Sequence, residues 1–316
     1  MKRITMLTLA VLAATPAVFA QDYPNKPVTI ISPYAPGGSG DISARFLAEG
    51  LGQMWGQPVT VENVTGGGAM IGPGRIVSSP ADGYTLLVHG TSFTMVPAVR
   101  DDLPFSPASD FLPVAMVSDT QFVVVAGPSV KATNIAEFVE EGRSRQILAT
   151  TSGAGTSTHF ANELLASATG MNLKSVHYKG GSEAVVDVVA GRADIYVATV
   201  TSALTYIEAG QLKPLAVMGA QRLESLPDVP TLVESGIDAE VGLWWAAFAA
   251  AGTPDEIVQK LNADINTLMT SPAGVEYLAS QQANHPNLTV AEFAAFVGQE
   301  FAKWELVAKA QNITLD

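Results

Sequence analysis

The sequence predicts an α/β fold of two lobes, each a mostly parallel sheet flanked by helices, with a cleft between them. Three observations predict it. Apolar, strand-like runs alternate with amphipathic segments across small-residue loops, which is the rhythm of βαβ units. That rhythm halts near residue 120 and then restarts. Finally, 316 residues that are 47% hydrophobic and 15% charged are too apolar for disorder and too many for one compact core.

Residues 1–20 are expected to be an export signal. Lys2 and Arg3 give a positive start, Met6 to Val18 are apolar or small, and Val18-Phe19-Ala20 fits a signal-peptidase site. No later run reaches the roughly 20 apolar residues that a bilayer span needs, so an exported chain is expected. Pro27 to Ile31, Val59 to Val61 and Thr85 to Val88 are strand-like, with a helical pattern from Asp41 to Met54 between the first two. After the restart, Gln121 to Ala126, Ile147 to Thr150, Ser175 to Tyr178, Asp194 to Val200 and Leu215 to Met218 are strand-like. Helical patterns from Phe160 to Ala168, through Val185 to Val189, and from Ala203 to Ala209 separate them. Leu226-Pro227-Asp228-Val229-Pro230 is too rich in proline for an element interior and marks a turn back. Two capping boxes, Thr253 to Glu256 and Thr289 to Glu292, are expected to start closing helices of about four turns. The division that follows is 21–120 with 232–316 as one lobe and 121–231 as the other, crossing without a linker through paired strands.

Composition narrows the function. Lys and Arg number 17 against 30 Asp and Glu, a net charge of -13 that argues against nucleic acid or an anionic membrane surface as partner. Cysteine is absent, which removes disulfides, thiolate metal sites and cysteine nucleophiles. Four histidines remain, His89, His159, His177 and His285, and they form no metal-binding or triad motif. There is no Gly-x-Ser-x-Gly elbow, His-Glu-x-x-His helix or phosphate-binding loop with its terminal lysine. No cofactor is expected.

One loop chemistry recurs where a strand gives way to a helix. Ser39, Thr91-Ser92, Thr156-Ser157-Thr158, Ser182 and Thr201-Ser202 stand among glycines at such junctions. Helix N-termini are locally positive, glycine permits close approach of the main chain, and hydroxyls add donors. Junctions of one parallel sheet open at its carboxyl edge, where open α/β sheets bind ligands. Two such edges facing each other define an anion-favouring cleft; the same residues also serve as ordinary helix caps. Tyr34 and Tyr178 lie at strand ends and either wall the cleft or fill core, as do Trp244 and Trp245. Asp41 with Arg45 either caps the first helix turn or meets ligand. Lys179 is the one basic residue in a glycine-rich loop, and His159 follows three hydroxyl residues.

These residues resemble a known family. Tyr23-Pro24-Asn25-Lys26-Pro27-Val28, the run Pro33 to Asp41 with Ala44-Arg45, and Ala81 to Leu87 are similar to the Bug-type receptors of tripartite tricarboxylate transporters. So are Ser152 to His159, Tyr178-Lys179-Gly180, Leu226 to Thr231 and Ala251-Gly252-Thr253-Pro254. The resemblance implies a type II-like periplasmic binding protein, monomeric, that closes on a small mono- or dicarboxylate and delivers it to a membrane permease, without chemistry. It assigns one carboxylate to Ala35, Gly37, Gly38 and Asp41, beside Tyr34, together with Gly155, Thr156, Ser157 and His159. The distal half of the ligand falls to Thr91, Ser92, Lys179, Gly180, Val200 and Thr201. Thr65 and Glu183 stand where relatives usually carry proline, and the acid at 183 speaks against a highly charged ligand. A sensor for a two-component system and an exported hydrolase are the alternatives.

Overall fold

The computed structural model describes residues 23–311 and 313, so the expected export signal at 1–20 lies outside the described residues. The first lobe begins β1 (Val28–Ser32), α1 (Ser39–Trp55), β2 (Val59–Asn63), α2 (Ile71–Val77), β3 (Thr85–Gly90) and α3 (Ser92–Met95). The long strand β4 (Phe111–Ala126) then leads into α4 (Ile135–Ser144), β5 (Ile147–Thr151), α5 (Ser157–Thr169), β6 (Leu173–His177) and α6 (Gly181–Val189). β7 (Ile195–Thr199), α7 (Val200–Glu208) and β8 (Lys213–Val217) complete the second lobe. The chain returns through β9 (Gly242–Ala250) to α8 (Asp255–Thr270), α9 (Pro272–Ser280) and α10 (Val290–Gln311).

Strand order explains how two lobes share one sheet. β2, β1 and β3 pair in parallel, and β9 joins β3 antiparallel. On the other side β6, β5 and β7 are parallel, and β7 and β8 flank β4 antiparallel. β4 belongs to both: it pairs with β9 from Phe111 to Gln121 and with β7 and β8 from Phe122 onward. The two sheets are therefore continuous through one 16-residue strand. Each lobe has three parallel strands, and the antiparallel members are the crossing strands and β8.

β9 and α4 escape the sequence reading. β9 reads Gly-Leu-Trp-Trp-Ala-Ala-Phe-Ala-Ala and is buried almost throughout, because it lies between β3 and β4. A strand buried on both faces loses the alternation that identifies a half-exposed one, and alanine has little preference for strands. The Thr289 capping box forms: Glu292 N–H donates to the Thr289 hydroxyl at 3.3 Å, and the Glu292 carboxylate accepts from Thr289 N–H at 2.9 Å. The Thr253 box does not. Its hydroxyl turns back to donate to the Ala250 carbonyl at 2.8 Å, and α8 starts from Pro254 with no side-chain cap. The closing segment holds three helices rather than two, the last of 22 residues. That helix reaches across the molecule, with the fully buried Trp304 edge-on to Phe160 of α5 at 5.4 Å.

Candidate functional site

The junctions β1–α1, β5–α5, β6–α6 and β7–α7 face one another across a cleft of about 960 Å³. Helices α1, α5, α6 and α7 start from Gly38, Thr156, Gly180 and Thr199, all extended and none giving a side-chain capping bond. Elsewhere Asn134 caps α4 and Ser271 caps α9 through their side chains, while α2, α3 and α8 have no side-chain cap. The first-turn N–H groups of a helix have no partner within it. At the four cleft helices no N-cap side chain supplies one either, so their positive ends are left open to an anion.

The first loop is built around a carboxylate of its own. Asp41 is buried and accepts from Gly37 N–H at 2.9 Å, Arg45 Nε at 2.9 Å and Asn63 Nδ2 at 2.7 Å. Burial pushes the Asp41 carboxyl up, but the bonds from Arg45, Asn63 and Gly37 outweigh it and hold the group below the usual carboxylate range. In the loop between β5 and α5, His159 plays the matching part and accepts from Gly155 N–H at 3.1 Å through Nδ1. Both loops are thus locked by a residue four positions on. His177 packs 4.4 Å from His159, ring centre to ring centre, and burial, then that neighbour, lowers its pKa.

The second loop carries backbone strain. Gly66, Gly67, Gly68 and Ala69 all have positive φ, at 116°, 59°, 69° and 68°. Alanine rarely adopts that region, and Ala69 is tied by its carbonyl to His89 Nε2 at 3.0 Å. The other ring nitrogen, Nδ1, lies 3.0 Å from the Gly90 carbonyl and 3.2 Å from the Tyr34 hydroxyl, so a neutral ring donates to one of the two carbonyls only. Burial lowers the His89 pKa to about 4 against the pull of the Gly90 and Ala69 carbonyls, so the ring is neutral. The Tyr34 hydroxyl also accepts from Gly90 N–H at 3.2 Å and meets Ser92 Oγ at 3.1 Å. Burial pushes it up to about 12, so it remains a hydroxyl.

The structure brings Tyr34, Ala35, Gly37, Gly38, Gly155, Thr156, Ser157, Lys179, Gly180 and Thr201 to the cleft wall. Five expected positions do not line it. Asp41 and His159 sit behind the loops they brace. Thr91 is buried, with its hydroxyl accepting from Trp244 N–H at 2.9 Å, Ser92 lies behind Tyr34, and Val200 is in the core of the second lobe. For Gly37 and Gly155 the N–H groups are already used within their loops, bonded to Asp41 and His159. The wall also holds residues not proposed as ligand-binding from the sequence, among them Phe122, Leu243, Gln281 and the second loop from Thr65 to Ala69. Phe122, Leu243 and Gln281 come from the crossing strands and the end of α9, and no local motif marks them. Trp244 and Trp245 part company: Trp244 packs on Phe248 and Phe296, whereas Trp245 lines the cleft.

The lobes stand shut in this structure. Ser39 Oγ lies 3.4 Å from Thr199 Oγ1 across the cleft. A Cβ added to Gly68 would stand 3.1 Å from the Ala154 carbonyl oxygen. No cluster of three or more histidine or acidic side chains suited to a metal occurs among the described residues.

Two lobes joined by crossing strands, shut on a cleft of uncapped helix N-termini, define a solute-binding protein. The chain belongs to the tripartite tricarboxylate transporter receptor family, whose model matches residues 43–313. Its members are periplasmic solute-binding receptors, not enzymes. The chain is 33% identical to protein BugT of Bordetella pertussis over 303 residues, which is 94% of this chain and 93% of that one. Among solved structures, an R. palustris protein with adipate has 29% identity and a TM-score of 0.87, covering 93% of this chain and 99% of its own. MatC of Rhodopseudomonas palustris with bound malate has 27% identity and a TM-score of 0.84, covering 90% of this chain and 99% of its own. Both likenesses span the lobes and the cleft together.

Proposed function

We propose that this protein is exported, loses residues 1–20, captures a small organic acid in the periplasm as a monomer, and hands it to a tripartite tricarboxylate-type membrane permease. The observation that carries the reading is the set of four helix N-termini without side-chain caps around a single cleft. Each is worth roughly 0.3–2 kcal/mol to an anion, and together they favour a carboxylate despite the acidic surface, which is screened over about 8 Å. That solved relatives hold adipate and malate supports the same ligand class. Residues 21–120 with 232–316 form one lobe and 121–231 the other, with Ala35, Gly38, Thr156 and Ser157 gripping one carboxylate. Lys179, Gly180 and Thr201 meet the rest of the ligand.

Gly38→Val tests the grip. Gly38 is the N-cap of α1 with φ of -76°, so valine fits the backbone, while its side chain crowds the loop at the cleft wall. Calorimetric titration with a panel of mono- and dicarboxylates should show affinity falling by more than about tenfold, or 1.4 kcal/mol, with the thermal melt little changed. Unchanged affinity refutes the grip.

A further inference from the structure

The wall of the cleft beside the crossing strands is aromatic rather than charged, and one polar atom on it has no partner. Trp245 is 8% exposed and its indole nitrogen makes no hydrogen bond among the described residues, whereas the indole nitrogens of Trp55, Trp244 and Trp304 all donate to carboxylates. The Trp245 ring is fixed in place. Tyr34 meets it edge-on at 4.9 Å and 88°, and a Cβ at Gly40 or Gly90 would stand 2.6 or 2.8 Å from its Cζ3. Two glycines are therefore required for the indole to lie where it does. Trp245 Nε1 keeps some solvent access, so it is available to donate to a ligand in the cleft.

The charges of the cleft lie elsewhere. Arg100 is held by both oxygens of Asp102 at 2.9 and 3.0 Å, and Lys179 is exposed at the loop it shares with Glu183. Phe122, Leu243 and Trp245 thus bring no cation to their part of the wall. A second carboxylate placed against them would be stripped of water without a countercharge.

From this geometry, and given the carboxylate grip proposed above, we infer that the ligand is a monocarboxylate with a flat, ring-shaped body. Its carboxylate faces the helix N-termini, its ring lies against Trp245 and Tyr34, and a ring hydroxyl accepts from Trp245 Nε1. The ligand class deepens the organic-acid reading, and its failure is separable from that reading.

Calorimetry on the full mature chain with benzoate, the three hydroxybenzoates, malate and adipate decides it. The best hydroxybenzoate should bind at least about tenfold more tightly than malate or adipate. Trp245→Phe keeps a ring but removes the donor, so it should weaken that hydroxybenzoate by about tenfold and leave benzoate nearly unchanged. Trp245→Leu should weaken both, with circular dichroism confirming that each variant is folded. Tighter binding of malate or adipate overturns the ring-acid assignment while leaving carboxylate capture standing, as does indifference of the hydroxybenzoate to both variants. Failure of all the acids to bind overturns both.

Discussion

His89 shows how much a single residue of this cleft owes to burial. It is 0% exposed and lies within hydrogen-bond distance of the Ala69 carbonyl and the Tyr34 hydroxyl, so it supports the strained second loop and the first loop together. Its pKa in the folded protein is about 4 against an ordinary 6.5. Between those values the unfolded chain takes up a proton that the folded chain refuses, so stability is complete above about pH 6.5 and falls until about pH 4, by on the order of 3 kcal/mol. Chemical denaturation at pH 7.5 and pH 4.5 should show this loss, and His89→Asn should flatten the slope. A slope unchanged by the substitution would place the pH dependence elsewhere. The histidine was visible in the sequence, but its role was not, because burial and a partner 20 positions away in the second loop define it. Asp41 and His159 teach the same lesson: their side chains and spacing were legible, yet they brace loops rather than line the cleft.

At the level of elements, the strand-to-helix junctions were readable because glycine and hydroxyl residues cluster there and the periodicity changes from two to 3.6 residues. Whether those hydroxyls cap helices was not readable, since the same Ser and Thr satisfy both roles until the backbone is placed. The second loop is the element on which closure turns. Gly68 has φ of 69° and faces Ala154 and Gly155 of the other lobe so closely that a Cβ would stand 3.1 to 3.3 Å from their backbone atoms. Gly68→Val should therefore wedge the lobes apart. Small-angle scattering with a bound acid should give a larger radius of gyration than the parent protein, and affinity should drop by about tenfold or more. Scattering curves that superpose would show that the loops do not meet in solution. β9 was missed for a reason that also belongs at this scale: an alanine-rich strand between two others carries neither alternation nor strong propensity.

Across the whole molecule, the net charge of -13 and the positive helix ends act at different distances. The distributed charge repels an approaching anion, and the helix ends hold it once it is inside, within about one turn. Raising ionic strength from 10 mM to 150 mM, which shortens screening from roughly 30 to 8 Å, should increase the association rate constant for an acid severalfold and change the dissociation rate little. Stopped-flow fluorescence separates the two, and a rate constant that falls with salt would mean that the cleft's own field dominates the approach. The join between the lobes is likewise a property of the whole: β4 changes partners between Gln121 and Phe122, and α10 buries Trp304 against Phe160 of α5. Sequence alone determined the α/β class, the alternating elements, the restart of the rhythm and the glycine-hydroxyl junctions, because these depend on periodicity and on the backbone freedom of residues close together in the chain. The tertiary structure alone decided which N–H groups remain open, which of Trp244 and Trp245 turns to the cleft, and how β4 and β9 join the lobes. The turn of Trp245 and the joining of β4 to β9 depend on burial and pairing between residues more than a hundred positions apart, and even the four-residue contacts that close Gly37 and Gly155 depend on backbone placement that local pattern does not record.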